Sequence, residues 1–578
     1  MRKPFFWVFV LVLSACLTGK QQSTSDAKSK EARPADVRIT CNPTPADLNT
    51  APGYDGKLAP LFKGLDVYHY PVSTTSASAQ KFFDQGLVLS FGFNHAEAAR
   101  SFRQCAVEDP ECAMCHWGLA YVLGPNYNAP MEVDVLPAAL ESLQQARLLM
   151  HKASPKERAL IEALTKRYPA SKDIDPNPYY EEYANAMREV MRSYPDDQDI
   201  AIMTAEALMD LHPWDLWERT GEPKPWTPEI VNIINGILSK NPKHPQAAHL
   251  YIHATEASGD PEQALVAARM LELRVPGSGH LLHMPSHTYI NTGHYHEGSI
   301  ANERAVKEDS SYVEACHEAG IYPLVYYPHN WHFLSACAAL EGRGERALEA
   351  SRYMADFVVD KELMYVPQLA ALQHFYSIPW FIMVKFAMWD EILREPAPKP
   401  DLKYPNAIWN YAQGMAHAAK GNYDKAAQNL KYIRDVSMDT NVAKLTIWEI
   451  NTVLDIVQLS EQVLQGEIVR RQGHYDIAVR FFGQAVEMED ALKYQEPPDW
   501  FFSIRHHLGD ALLKAGRYSE AEEVYRTDLK ELKRNGWALM GLYKSLEGQG
   551  KTAEAAEVMK QFREAWKHAS VELHSSVI

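Results

Sequence analysis

A pair of small residues recurs along this chain at one fixed distance. A glycine is followed twelve residues later by an alanine at Gly86/Ala98, Gly414/Ala426, Gly466/Ala478, Gly509/Ala521 and Gly541/Ala553. Small residues on two successive helices let the helix backbones approach closely, because no large side chain separates them. The spacing therefore predicts repeated two-helix units. No stretch shows a convincing strand pattern, so we expect an all-α chain.

Other positions around these pairs complete a known repeat pattern. Phe102 stands four residues after Ala98 and Pro110 eight residues after Phe102, and aromatic residues follow two of the later alanines at the same distance. The pattern resembles the tetratricopeptide repeat, a two-helix unit of about 34 residues that stacks into a solenoid. The resemblance is strong over 78–120 and 405–567 and degenerate but in phase between them. It implies a superhelical, tetratricopeptide-like α-solenoid.

Two histidine pairs repeat with the same period. His249 and His253 are four residues apart, as are His283 and His287, and the second pair follows the first by 34 residues. Residues i and i+4 lie on one face of a helix, about 5–6 Å apart at Cβ. Equivalent positions of neighbouring repeats stand side by side, so the four histidines should form one patch.

Extending the repeat phase places further candidate metal ligands on the concave groove. The predicted set is His249, His253, Glu256, His280, His283, His287, His329 and His332, and a weaker alignment adds His374. Neutral imidazoles with a carboxylate suit Zn, Cu, Fe or Ni. Two alternatives stay open, a groove that binds a peptide or small ligand and histidines that only hydrogen-bond between packed helices.

A second motif bears on cofactors. Cys112, Cys115 and His116 form Cys-x-x-Cys-His, the attachment sequence of c-type haem. The motif begins a repeat helix, where a small buried cysteine also packs well. We expect packing and no covalent haem, with a Cys112–Cys115 redox pair as the other alternative.

The N-terminus has the layout of an export signal. Basic residues precede the apolar run Phe5–Leu13, and Leu13–Cys16 resembles a bacterial lipoprotein signal. The resemblance implies cleavage before Cys16, acylation of its thiol and a periplasm-facing lipid anchor. Leu17 follows the cysteine, which favours the outer membrane. The alternative is an ordinary secretory signal or a short anchor helix.

The predicted organisation has five parts. The proline-rich stretch from Glu395 to Pro400 is the strongest internal boundary. The parts are a signal peptide (1–15), a lipidated cysteine and flexible tether (16–57), an N-terminal array with the histidine-rich groove (58–395), a linker (396–404) and a C-terminal array (405–570). The pairing of the six remaining cysteines is left open.

Charge and hydropathy exclude some classes of function. The net charge is −16 with no basic stripe to offset it, which argues against a nucleic-acid partner. No apolar run of 18 or more residues follows the N-terminus, so we expect no internal membrane span.

A wider resemblance covers most of 78–395. The strings Gly124–Asn128, Tyr251–Ser258 and Gly279–His287 resemble those of a bacterial family of exported tetratricopeptide proteins. The resemblance implies a fold and adds no reaction.

We therefore predict a tetratricopeptide lipoprotein whose groove binds a transition metal or a metal-containing ligand. One alternative is a scaffold that binds a protein or peptide partner in the groove without metal. A second is a metal-dependent hydrolase or oxidoreductase, which lacks the support of a His-Glu-x-x-His motif.

Overall fold

The computed structural model describes residues 56–316 and 322–578. The predicted signal peptide, the lipidation site Cys16 and nearly all of the tether lie outside these residues. Within the described part of the chain, no helix combines the length and apolar character needed to cross a membrane.

The described residues form α-helices joined mostly by short turns. The first twelve are α1 Ala77–Phe91, α2 His95–Glu108, α3 Ala113–Val122, α4 Leu136–Leu148, α5 Pro155–Leu164, α6 Asn177–Ser193, α7 Gln198–Met209, α8 Thr227–Lys240, α9 Pro245–Thr255, α10 Leu265–Leu271, α11 Gly279–His283 and α12 Pro285–Thr292. The remainder are α13 Tyr295–Cys316, α14 Tyr327–Leu340, α15 Gly344–Tyr353, α16 Ala370–Lys385, α17 Trp389–Ile392, α18 Lys403–Ala419, α19 Tyr423–Ser437, α20 Val453–Arg471, α21 Tyr475–Ala491, α22 Arg505–Lys514, α23 Tyr518–Glu531, α24 Gly536–Gly548 and α25 Thr552–Ala565. The all-α prediction is confirmed.

One small sheet departs from the sequence-based expectation. Strands β1 (Thr446–Ile447) and β2 (Asn451–Thr452) pair antiparallel between α19 and α20. Two residues are too short to produce a recognisable alternation of polar and apolar side chains. The hairpin matters because Asn451 anchors a later segment of the chain, described below.

The chain falls into two compact units. The first contains the described residues up to Asp215 together with Asn232–Ile237. The second contains Leu216–Val231 and nearly all described residues from Leu238 to Ile578. All predicted metal ligands belong to the second unit.

The proline-rich segment predicted as a linker lies within the second unit. Asn406 Nδ2 donates to Lys399 O (2.7 Å), and Trp409 Nε1 donates to Glu395 O (3.2 Å). These bonds tie the segment to α18. The division into an N-terminal and a C-terminal array at this segment stays a prediction.

The small and aromatic positions of the repeats meet as expected. A Cβ built on Gly466 of α20 would lie 2.6 Å from the Phe482 ring of α21, and one built on Gly509 of α22 would lie 2.2 Å from Tyr525 Cζ of α23. Both aromatic side chains are fully buried. The glycines are therefore needed because the aromatic ring of the partner helix fills the space that a side chain would take.

Replacing Gly509 by alanine should destabilise the protein by about 1–3 kcal/mol, because Tyr525 is buried and its hydroxyl bonds Ser576 (2.7 Å). The control is Gly483 of α21, where a Cβ would meet nothing within 4 Å. Gly483→Ala should stabilise the helix by about 0.5–1 kcal/mol. Urea unfolding measures both changes, and equal effects of the two substitutions would contradict the packing argument.

Candidate metal centre

Four helices of the second unit bring the predicted ligands together. Helix α9 begins after His244, whose Nδ1 caps Ala247 N (3.3 Å), and has Pro245 at its first position. Helix α11 begins after Ser278, which caps Leu281 N (3.4 Å). Pro285 then starts α12. These local signals place the histidines of α9, α11 and α12 on facing surfaces, beside the start of α14.

Six histidines form two groups of three. In each group one possible ligand atom per residue lies within 4.8 Å of the others. We call them the first histidine triad (His249, His253 and His280) and the second histidine triad (His283, His287 and His329).

In the first histidine triad, the Nε2 atoms of His249 and His280 are 3.2 Å apart. His249 Nδ1 lies 3.2 Å from Gln246 Oε1, and His253 Nδ1 lies 3.1 Å from Glu256 Oε1. The Nδ1 atoms of His249 and His253 are thus held by acceptors on the same helical turn. Such outer partners orient metal-binding imidazoles.

In the second histidine triad, the Nε2 atoms of His283 and His287 are 2.9 Å apart. The ring centroid of His329 lies 4.9 Å from that of His283 and 5.6 Å from that of His287. His283 Nδ1 contacts Asn302 Oδ1 at 2.7 Å. Asn302 is on α13, so three neighbouring helices and α14 contribute to this triad.

The hydrogen bonds of Asn302 define the tautomer of His283. Asn302 Nδ2 donates to Gly298 O (2.8 Å), so its Oδ1 faces His283 and must accept. A neutral His283 therefore carries its proton on Nδ1 and has a lone pair on Nε2. The short contact between His283 Nε2 and His287 Nε2 then needs either a proton on His287 or a cation that both nitrogens bind.

Two buried carboxylates surround His287. Glu256 Oε2 lies 3.1 Å from His287 Nδ1, and Glu496 Oε2 hydrogen-bonds the same nitrogen. Burial opposes a charge on His287, but the carboxylates of Glu496 and Glu256 outweigh it and raise the pKa of His287 to about 10. Burial likewise opposes the charge of Glu256, yet His253 and His287 lower its pKa to about 2.

Three other histidines of the centre are held neutral. Burial lowers the pKa of His280, His283 and His329 well below the usual value, and the neighbouring histidines lower it further. Neutral imidazole is the form that binds a metal. The centre therefore combines available lone pairs with two carboxylates that balance positive charge.

The sequence did not predict Glu496. It lies between α21 and α22 in an irregular stretch, residues 492–504, which we call the covering segment. Glu496 also accepts hydrogen bonds from Asn291 Nδ2 and Tyr494 OH, and the Tyr494 hydroxyl oxygen lies 3.1 Å from Glu256 O. The covering segment is thereby tied directly to the metal-ligand candidates.

The β-hairpin holds the other part of the covering segment. Asn451 Nδ2 donates to Asp499 Oδ2 (2.8 Å), and Lys493 N donates to Asn451 Oδ1 (2.9 Å). The sequence signal that marks the covering segment is its length, which is unusual for a connection between repeats.

The histidines of the centre do not line an open groove. The predicted groove positions are brought together, but His249, His253, His280, His283 and His287 are each at most 3% exposed. His329 is partly exposed. A peptide lying in an open groove would not reach these buried rings, so the arrangement differs from the exposed surface that the repeat pattern predicts.

His332 belongs to a neighbouring cluster. Its ring centroid lies 5.7 Å from that of His374 and 5.1 Å from that of Phe501 in the covering segment. His374 Nδ1 contacts Tyr404 OH at 2.7 Å. Burial lowers the pKa of His332 well below its usual value and that of His374 to about 3.

The cysteine motif is in the first unit and does not pair within itself. Cys115 forms a disulfide with Cys105 of α2, and Cys112 has a free buried thiol. His116 is half-buried, and burial lowers its pKa. The sequence left the partner of Cys115 open. The crossing of α2 and α3 brings the Cα atoms of Cys105 and Cys115 to 5.5 Å from each other, and these two cysteines form the disulfide.

The helix pairs and their packing define a tetratricopeptide-like α-solenoid. A family model described as tetratricopeptide repeat matches residues 504–536, which span α22 and α23. No curated protein matches the chain. The match supports a tetratricopeptide-repeat protein, as predicted.

Solved structures with similar folds share little sequence with this chain. The human IFIT1 dimer with m7Gppp-AAAA has 14% identity over 79% of this chain and 90% of that chain, with a TM-score of 0.32. The APC/C hetero-tetramer Cut9–Hcn1 has 12% identity over 85% and 74%, with a TM-score of 0.27. Naa15/Naa10 bound to HypK-THB has 12% identity over 85% and 70%, with a TM-score of 0.21. Similarities at this level carry no argument about function.

Proposed function

We propose that this chain is an exported tetratricopeptide scaffold that binds a transition metal in its buried histidine cluster. The observation that carries the proposal is the presence of two histidine triads, in each of which one possible ligand atom per residue lies within 4.8 Å of the others. The proposed lipid anchor at Cys16 would hold the scaffold at the periplasmic side of a bacterial membrane.

The spacing of the nitrogens supports metal binding. Metal–nitrogen bonds of about 2.0–2.1 Å place two ligands about 3.3 Å apart at a tetrahedral ion and about 2.9 Å apart at right angles. The contacts of 3.2 Å between His249 and His280 and of 2.9 Å between His283 and His287 match these separations. An N–H···N hydrogen bond has a similar length, so the distances alone do not choose between a proton and a metal.

The chemistry of the donors favours late first-row metals. Imidazole nitrogen suits Zn, Cu, Fe and Ni, whereas Mg, Ca and Mn prefer carboxylate and carbonyl oxygen. The outer partners Gln246, Asn302 and Glu256 fix the ring orientations before a metal arrives.

A scaffold that binds a protein partner is compatible with this proposal. Tetratricopeptide solenoids present extended surfaces, and the buried histidines leave the outer faces of the repeats available. In that case the metal would stabilise the scaffold and the partner would bind elsewhere on it.

Metal analysis of untagged protein tests the proposal. Wild type is expected to retain Zn, Cu, Ni or Fe and to melt at a higher temperature with metal. The free energy of unfolding should rise by about 2.7 kcal/mol at a hundredfold excess of metal over the dissociation constant. His253→Ala and His287→Ala should each retain less metal than the wild type and lose a corresponding part of this stabilisation.

The control is His474→Ala, since His474 is exposed in the turn between α20 and α21. It should retain the metal of the wild type. Wild-type protein that carries no metal and whose melting temperature ignores all four ions would refute metal binding, and a peptide-binding role should then be tested.

A further inference from the structure

We propose that the cluster binds two metal ions side by side, one on each histidine triad. This inference rests on the proposed function and adds the number and arrangement of the ions. It assigns the cluster to the class of two-ion centres built from imidazole ligands. Copper(II) and zinc(II) are the ions that such a donor set fits best.

The two histidine triads share no residue. The first takes its ligands from α9 and the start of α11, and the second from the end of α11, α12 and α14. Three imidazoles are a complete protein ligand set for a zinc or copper ion that keeps one open position. A single ion needs no more than one triad.

The triads are also in direct contact. The ring centroids of His253 and His287 are 5.9 Å apart, and those of His280 and His283 are 6.0 Å apart. Each of these pairs has one ring in each triad. Two ions held by neighbouring rings at these distances would be close enough to influence each other magnetically.

One carboxylate connects the triads. Glu256 Oε1 lies 3.1 Å from Nδ1 of His253 in the first triad, and Oε2 lies 3.1 Å from Nδ1 of His287 in the second. Because the Nδ1 atoms face the carboxylate, the opposite Nε2 atoms are the ones presented to metal. Glu256 therefore orients one ligand of each ion and acts as a positioning residue for both.

Buried carboxylates offset part of the charge of bound cations. Glu256 and Glu496 lie within hydrogen-bonding distance of His287, and a metal bound at Nε2 of His287 would displace the proton of that nitrogen, which leaves all six imidazoles neutral. Two divalent ions next to two carboxylates keep a smaller net charge in the low-dielectric interior than the ions would alone.

A different position for an ion is defined by Glu256, His287 and Glu496, whose ligand atoms also lie within 4.8 Å of one another. An ion there would use His287 Nδ1 and two carboxylates, and it would compete with the second triad for His287. This arrangement predicts dependence on Glu496 and independence of His329, which makes the two arrangements separable.

The experiment counts copper and zinc in the full chain after saturation and removal of excess ion. Wild type is expected to bind two ions, and His249→Ala and His329→Ala should each bind one. His474→Ala should bind two. Electron paramagnetic resonance of the copper-loaded wild type should show coupled or broadened Cu(II) signals, and each single-triad variant should show the spectrum of one isolated Cu(II).

Each result decides between the arrangements. One ion in wild type would overturn the two-ion centre while leaving the proposed function intact, and no ion would overturn both. Two ions with isolated copper spectra would overturn the side-by-side arrangement. Two ions that persist in His329→Ala and fall to one in Glu496→Gln would place the second ion on the carboxylates. The wild-type count does not depend on whether any variant folds.

Discussion

Lowering the pH below about 6.5 is expected to unfold the metal-free protein over a narrow range. In the second unit, burial lowers the pKa of His280, His283, His329, His332 and His374. The unfolded chain takes up a proton at each near pH 6.5. The folded state does not, so the stability is full above this pH and is lost as the pH falls towards the lowered values.

The expected size of this effect is large. Each such histidine lowers the free energy of unfolding by about 1.4 kcal/mol per pH unit below 6.5. Five together amount to about 7 kcal/mol per unit, which is comparable to the whole stability of a typical domain. Bound metal should oppose the loss until protons displace it.

Urea unfolding with a chelator between pH 7.5 and 5.5 measures the effect. His332→Phe removes one buried titrating ring, which packs against Phe375 and Phe501. The change should reduce the pH dependence of the free energy of unfolding by about 1.4 kcal/mol per pH unit. His474→Gln, at an exposed position, should leave the slope unchanged. A stability that stays constant over this pH range would contradict the neutral, buried state of these histidines.

Replacing Glu256 by alanine is expected to cost about 3–5 kcal/mol in the metal-free protein, the usual effect of removing one partner of a buried ion pair. The change removes the acceptor of His253 and one of the two carboxylates beside His287. The raised pKa of His287 means that its pairing stabilises the fold fully below about pH 6.5 and is lost as the pH rises through about 10. The difference between wild type and variant should therefore shrink at alkaline pH.

Glu349→Ala is the matched control. Glu349 pairs with Arg346 (2.9 Å), but its side chain is 70% exposed. Exposed ion pairs contribute little, so the control should change the stability by less than about 1 kcal/mol. Chemical denaturation at pH 7 and pH 9.5 compares the two variants. Equal losses in both, or a Glu256 effect that grows at alkaline pH, would show that the carboxylate does not pair with a charged His287.

The motif of Cys112 and Cys115 shows the limits of local patterns. The sequence leaves their pairing open because residues in one helical turn and residues on a crossing helix are both within reach. The structure selects Cys105, which is ten residues before Cys115. The selection depends on how α2 and α3 cross, and that crossing is a tertiary feature.

The repeat phase follows from local patterns in the sequence, and it predicts which histidines share a helix face. Helix pairing depends on local signals, such as glycines, caps and a hydrophobic period, that lie within one or two repeats. The 34-residue spacing then placed His287 beside His253, and their ring centroids are 5.9 Å apart. The ring of His249 packs against that of His280, which the spacing did not pair with it.

The burial of these histidines and the carboxylates that balance their charge depend on the tertiary packing. Glu496 reaches His287 across 209 residues of sequence, and no local spacing encodes that contact. Burial of the rings lowers the pKa of His280 and His283, and Glu496 of the covering segment helps to raise the pKa of His287. Whether a histidine cluster is an open groove or a closed centre depends on burial, and burial is a property of the whole packed unit.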